Sequence, residues 1–132
     1  MGFLVIISET GFPHSACLFI INGQRQWRGF KPKKLKMPVC EGYVDESDRT
    51  QFIDNANVVK FEVDDSVLNM TLETIRTTYN GLTYRVGIGP DCVNLAVDVA
   101  KLCGLKTPPP PNMSPNSLVE NLKKLNSNWL NY

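Results

Sequence analysis

Residues 15–21, Ser15-Ala16-Cys17-Leu18-Phe19-Ile20-Ile21, are apolar at almost every position. A half-buried strand alternates apolar with polar residues, so a run like this reads as a strand buried on both faces. Asn22-Gly23 follows directly. That pair is the strongest short hairpin signal a sequence offers, because a tight two-residue turn needs left-handed backbone at its centre. Gln24 to Phe30 alternates more loosely and is expected to return as the partner strand, ended by Pro32 and the lysines. Phe3 to Ser8 is a further short apolar run rich in β-branched residues, broken by Gly11-Phe12-Pro13, and Asn57 to Val63 alternates with high β-propensity. Between them, residues 37–56 carry little pattern and read as a long surface loop with at most one short strand.

The helical part comes later. Asp64-Asp65-Ser66 caps a helix in which Leu68, Leu72, Ile75 and Tyr79 fall at helical spacing, closed by Asn80-Gly81. Tyr84 to Gly89 is punctuated by glycine. A second helix begins at Pro90-Asp91, with Asp91 as N-cap and Cys92 in the first turn. Its apolar face is Leu95, Val99 and Leu102, its polar face Asn94, Asp98 and Lys101, and Gly104 stops it. Residues 107–112 form a stiff proline-rich spacer. Ser114-Pro115 opens a last helix with Leu118, Leu122 and Leu125 on one side.

Composition bounds what such a chain does. With 132 residues the expectation is one domain over 1–132 that buries roughly 65–70% of its unfolded surface. Fourteen basic side chains against thirteen acidic ones give a net charge of +1, which argues against a nucleic-acid binder. Hydrophobic residues make up 42%, too many for disorder. No apolar run approaches the ~18 residues of a transmembrane helix. The start, with Phe3-Leu4-Val5-Ile6-Ile7 unpreceded by basic residues, does not read as a secretory signal, so synthesis in a cytosol is expected. Charge is segregated: Arg25, Arg28, Lys31, Lys33, Lys34 and Lys36 precede an acidic stretch that includes Glu41, Asp45, Glu46, Asp48 and Asp54. This reads either as two solvated surfaces of opposite sign or as a basic rim for an anionic partner. The cysteines at 17, 40, 92 and 103 form no close pair and the chain has one histidine, so neither a metal site nor a cofactor is expected and the thiols are expected to be reduced.

The candidates for chemistry are Cys92 and His14. A thiol is a nucleophile as thiolate, and the free N–H groups and partial positive charge of a helix start stabilise that anion, which predicts a Cys92 pKa below the usual ~8.5. The same N–H groups can bind an oxyanion in acyl transfer. Cys103, at the other end of the helix, has the dipole against it. His14 stands at the mouth of the central apolar strand. Cysteine at a helix start and histidine on a packed sheet is the pairing a cysteine hydrolase needs. The plainer alternative for each is a small core thiol and a satisfied strand-end histidine.

The stretch Tyr84-Arg85-Val86-Gly87 and Pro90-Asp91-Cys92-Val93-Asn94-Leu95-Ala96-Val97 resembles the catalytic-helix motif of NlpC-type papain-like cysteine peptidases. In that family a tyrosine-to-glycine segment precedes an Asp-Cys-Ser-Gly sequence; here Val93-Asn94 replaces the Ser-Gly. His14 precedes Cys92, so the resemblance is to the circularly permuted branch, which also holds lecithin–retinol-type acyltransferases and PPPDE-type isopeptidases. His14 heading an apolar strand, Trp27-Arg28-Gly29-Phe30-Lys31-Pro32 on the return strand, the acidic loop and a proline-led last helix extend the likeness over most of the chain. The resemblance implies an α+β papain-like fold in which an antiparallel sheet bearing the His strand packs against a late Cys-bearing helix.

The function implied is hydrolysis of an amide bond, with Cys92 as nucleophile, His14 as general base, Tyr84 lining the substrate site and Asp91 beside the nucleophile as helix cap. In relatives a third residue orients the His from the following strand. Gln26, twelve positions on, has that spacing and type. A two-residue turn at Asn22-Gly23 would pair residue 26 with 19 and turn it away from His14, whereas a longer loop or a bulge would restore it. Asp45 or Asp48 is the alternative. The resemblance further implies peptidoglycan stem peptides as substrate. It implies an antibacterial effector role after export by a dedicated secretion machine, and a cognate immunity protein as partner. Action on lipid esters or protein-modifier isopeptides, and a non-catalytic interaction module, are the other readings of the same fold.

Overall fold

The apolar run forms β2 (His14–Ile21), third of six strands in a computed structural model that describes residues 1–9, 14–34, 39–47, 56–85, 89–110 and 113–130. The other strands are β1 (Gly2–Glu9), β3 (Gln24–Pro32), β4 (Val39–Asp45), β5 (Asn57–Val63) and β6 (Thr83–Arg85). They lie in the order β5-β1-β2-β3-β4-β6, and every neighbouring pair is antiparallel. The helices are α1 (Asp65–Tyr79), α2 (Cys92–Leu102), α3 (Pro115–Leu125) and the single turn α4 (Ser127–Leu130). The architecture is therefore α+β with one antiparallel sheet. None of the helices is long and apolar enough to cross a membrane.

Because side chains alternate across a strand, β1 and β2 feed two apolar layers. Leu4, Ile6, Cys17, Phe19 and Ile21 face the helices and join Leu68 and Ile75 of α1, Leu95 and Val99 of α2, and Leu118 and Leu122 of α3 in the main core. Val5, Ile7, Ala16, Leu18 and Trp27 form a second cluster on the opposite face. A strand covered on both sides is what the unbroken apolar run requires.

The hairpin is as short as its sequence predicts. Asn22 and Gly23 take φ of 52° and 77°, and Ile21 pairs with Gln24. The segment that reads mainly as loop contains the seven-residue strand β4, which pairs with β3 at Gly29–Asp45 and Phe30–Val44. Its Gly42 lies under the Phe30 ring, where a Cβ would collide with that ring. The opposite charge runs meet across these strands: Lys31 bonds Asp45 at 2.8 Å, Lys33 bonds Glu41 at 3.0 Å, and Arg28 lies 3.8 Å from Glu46. For these residues the charges pair with one another rather than forming two separate surfaces.

The strand β6 and the turn α4 have no counterpart in the sequence reading. β6 is three residues long, and the exposed Thr83 and Arg85 flank the buried Tyr84. Helix α3 starts as expected, with Ser114 accepting from the Ser117 N–H at 3.2 Å and Pro115 in the first turn. Phe12 and Pro13, Lys36, Asp48 and Asp54, and residues 86–88 and 111–112 lie outside the described residues.

Candidate active site

Helix α2 begins where the sequence places it, and the cap is stronger than expected. The Asp91 carboxylate accepts from the N–H groups of Val93 at 3.0 Å and Asn94 at 3.2 Å, while the Asn94 carboxamide oxygen accepts from the Asp91 N–H at 2.9 Å. This reciprocal capping box needs a hydrogen-bonding side chain at position 94. The Val93-Asn94 departure from the resembled motif therefore has a local structural role. Gly89, with φ of 86°, makes room for Asn94, since a Cβ there would collide with the carboxamide.

The cap sets Cys92 as the first helical residue, with its side chain in the main core at 7% exposure. Burial is the largest influence on the thiol and raises its pKa. The nearby Asp91 carboxylate raises it further, while the Ser15 N–H, the Tyr84 hydroxyl and the Val93 N–H pull the other way. The expected lowering by the helix start is thus overturned: desolvation of the charged form outweighs the N–H groups. Cys17 and Cys103 are raised as well, chiefly by burial, and all four cysteines are free thiols.

Tyr84 reaches the site from β6. Its ring packs on Phe30 with centroids 5.1 Å apart, and its hydroxyl contacts both the Cys92 sulfur and the Cys92 N–H. Burial first, then the sulfur, push the phenol well above its ordinary range, so it stays a neutral donor. The sequence reading assigned Tyr84 to this site.

The Ser15 contact has a topological cause. The β2–β3 ladder runs from Ile21–Gln24 to Cys17–Arg28 and stops there, while β3 continues with β4 from Gly29 onward. In an antiparallel hairpin alternate pairs exchange hydrogen bonds. Counting back by twos from Ile21, Ser15 is the next residue whose N–H points toward β3. With the ladder ended, that N–H faces the Cys92 sulfur instead. Ser15 is 1% exposed, and its hydroxyl has no partner among the described residues.

His14 adjoins this junction through the backbone, but its ring is held elsewhere. By alternation it starts β2 on the face of Ala16 and Leu18, opposite the face that Cys17 and Phe19 turn to α2. Its Nε2 lies 3.7 Å from a carboxylate oxygen of Glu9, the residue directly across the β1–β2 ladder, which is beyond hydrogen-bond range; His14 is buried and Glu9 is partly buried. The ring extends over Gly29, where a Cβ would come within 3.0 Å of Nε2. The structure therefore brings Cys92, Tyr84, Asp91 and the Ser15 amide together. It sets the imidazole on the other face of the sheet, against Glu9 and Gly29.

Gln26 does not join the histidine. The turn has two residues, so Gln26 pairs with Phe19 and lies on the opposite face from His14, where its side-chain oxygen accepts from Arg28 at 3.3 Å. Asp45 lies opposite Gly29 in the ladder, on the face of the His14 ring, but its carboxylate is engaged by Lys31 at 2.8 Å and by the Ser47 N–H at 3.1 Å. Burial alone would raise the Asp45 pKa; these contacts outweigh it and hold the carboxyl below its usual range. Asp48 lies outside the described residues. Glu9 was not singled out in the sequence. Its position, two residues before the Gly11-Phe12-Pro13 break that leads to His14, is the signal the sequence offers.

A cavity of about 160 Å³ runs along α2, bounded by Val93, Val97, Asp98, Lys101, Pro108 and Met113. Asp98 in its wall accepts a hydrogen bond from the Tyr79 hydroxyl, tying α2 to α1. Among the described residues no group of three or more His, Cys, Asp and Glu side chains is arranged to hold a metal. Comparison with protein-family models, with curated proteins and with solved structures gives no match.

Proposed function

We propose that the chain is a cysteine amidase or peptidase in which Cys92 is the nucleophile and His14 the base. The observation that most supports this reading is the docking of the α2 start onto the strand peptide joining His14 to Ser15. The sulfur lies against the N–H of Ser15, the residue after the chain's only histidine, and the His14 ring, which turns to the other face of the sheet, would have to swing to the sulfur for this reaction. In this reading His14 takes the thiol proton as sulfur attacks the amide carbonyl carbon. The carbon–nitrogen bond then breaks, and the imidazolium returns the proton to the leaving amine. Water attacks the resulting thioester, yields a proton to His14 and expels the thiol. In this reading the Cys92 N–H and the Tyr84 hydroxyl, in contact with each other beside the sulfur, are the donors that would serve the developing oxyanion. A buried, raised thiol is neutral at rest, so its proton moves during attack rather than beforehand.

The family resemblance supports peptidoglycan stem peptides as substrate, and with them an antibacterial effector countered by an immunity protein. Purified protein incubated with muropeptides should cleave them, and Cys92→Ala and His14→Ala should not. Inertness toward several stem-peptide types would remove that substrate class.

The burial of Cys92 favours a second reading, a non-catalytic interaction module. It predicts no cleavage, together with a Cys92 as slow toward iodoacetamide as Cys17 at every pH from about 6 to 9.

A further inference from the structure

The cavity along α2 is lined by two opposite charges that do not meet. Its helical wall presents Asp98 and Lys101, three residues apart, and its other wall includes Pro108 and Met113. Side chains at that spacing share a helix face with Cβ atoms about 5–6 Å apart, close enough for an ion pair. None forms. Asp98 accepts from the hydroxyl of Tyr79, the last residue of α1, and Lys101 has no bonded partner among the described residues. The other groups narrow what fits between the two charges. Pro108, Pro109 and Pro110 have no N–H to donate, and their rings keep that wall stiff. The carboxamide of Asn94, the other polar side chain on the helical wall, is tied into the α2 cap. Val93 and Val97 add apolar surface.

We propose that this cavity binds a small zwitterion, a free α-amino acid with a short apolar side chain. Its ammonium group meets Asp98, its carboxylate meets Lys101, and its side chain lies against Val97, Pro108 and Met113. An α-amino acid carries both charges on one carbon, so a single molecule bridges two side chains that do not bond each other. The size agrees. A cavity of about 150 Å³ admits a ligand as large as benzene, which leaves room here for about six non-hydrogen atoms. Alanine is of that size. A ligand with one charge is disfavoured, because it satisfies one of the two groups and sets a like charge against the other. Neither Cys92 nor His14 takes part, so the site is independent of amide hydrolysis.

Titration of the full chain with alanine, followed through backbone amide NMR shifts, is compared with propionate and ethylamine, each of which keeps one of the two charges. Alanine should shift the amides of α2 and Met113 saturably and bind about tenfold more tightly than either, the gain of one further charge-assisted hydrogen bond. Lys101→Met, at an exposed position, should weaken alanine about tenfold and strengthen ethylamine, since the like charge is gone. Asp98→Asn, whose carboxamide oxygen can still accept from Tyr79, should weaken alanine as much and strengthen propionate instead. Equal, unsaturable shifts with all three compounds overturn the proposal, and so does alanine binding that Lys101→Met leaves unchanged. Should Asp98→Asn fail to fold, Lys101→Met decides alone.

Discussion

The N–H of Ser15 faces the sulfur of Cys92 at the point where β2 parts from β3. The contact seats the start of α2 at the β2–β3 hairpin, against which Leu95, Ala96 and Val99 pack in the shared core. A sheet that stayed paired to the end of β2 would have used that N–H internally, and the helix start would have met a closed edge. The split also explains the state of the thiol. It is enclosed by sheet, helix and Tyr84, and the polar contacts there only partly offset the cost of ionising it in that setting.

Tyr84→Phe tests that balance. The phenol donates to the sulfur and lowers the thiol pKa. Removing the hydroxyl leaves burial less opposed, so Cys92 should titrate higher and react with iodoacetamide several-fold more slowly at fixed pH, while the ring keeps its packing on Phe30. The rate is read by mass spectrometry on the Cys92 peptide. Faster labelling would show that Tyr84 shields the sulfur more than it stabilises the thiolate.

Gly29→Ala tests the shelf under the imidazole. The added methyl would stand 3.0 Å from Nε2, and no backbone strain accompanies it, because Gly29 is not among the positive-φ residues. The ring must move, and the Glu9 contact moves with it. Crowding of this kind typically costs about 1–3 kcal/mol. The expected result is a lower urea midpoint together with a displaced C2–H signal of His14. An unchanged spectrum would mean that the ring does not rest on Gly29.

How much of this was legible in the sequence follows from which residues carry local information. The hairpin at Asn22-Gly23 was, because few residues tolerate φ of 52° and 77° in succession. So were the caps Asp91 and Ser114, whose side chains act on amides two and three residues away. The strand β4 was obscured because its Gly42 answers to the Phe30 ring of another strand, and β6 because three residues carry no period. At the site, Cys92, Tyr84 and Asp91 were found through a contiguous motif. The approach of Glu9 to His14 was not legible because it depends on a ladder whose register is set by the intervening turn. The direction of the Cys92 shift was missed because a helix start is visible in a sequence and the burial around it is not.

Cys92→Ala and Leu95→Ala separate a residue kept for chemistry from one kept for packing. Leu95 is fully buried between α2 and the sheet, so its truncation should cost about 2–5 kcal/mol, read as a loss of stability in urea. Cys92→Ala deletes one sulfur at the edge of the same core and should cost about 1 kcal/mol. Because Cys92 is enclosed, the variant is not expected to be neutral. Equal losses for the two would mark Cys92 as an ordinary core residue and weaken the catalytic reading.

Alkaline pH should destabilise the fold through groups outside the reaction as well. Cys17, Cys92, Cys103, Tyr79 and Tyr84 are all raised, and burial is the first cause in every case. In the unfolded chain thiols titrate near ~8.5 and phenols near ~10. Below about pH 8 both states carry these protons, so the groups contribute no pH dependence. Above it the unfolded chain releases protons first and binds fewer than the folded one, so stability falls as pH rises, by up to ~1.4 kcal/mol per group per pH unit until the folded pKa is reached. Asp45 acts at the opposite end: its pKa is lowered, so its contribution is complete above the unfolded value of ~3.9 and is lost as pH falls through the folded one. Urea midpoints should therefore hold steady through neutrality and drop steeply between about pH 8.5 and 10. Cys103→Ala, which removes a raised thiol whose contact is the Thr71 hydroxyl at 3.6 Å, should lower stability at neutral pH yet flatten the alkaline slope. A slope that Cys103→Ala leaves unchanged would show that this thiol titrates alike in the folded and unfolded chain.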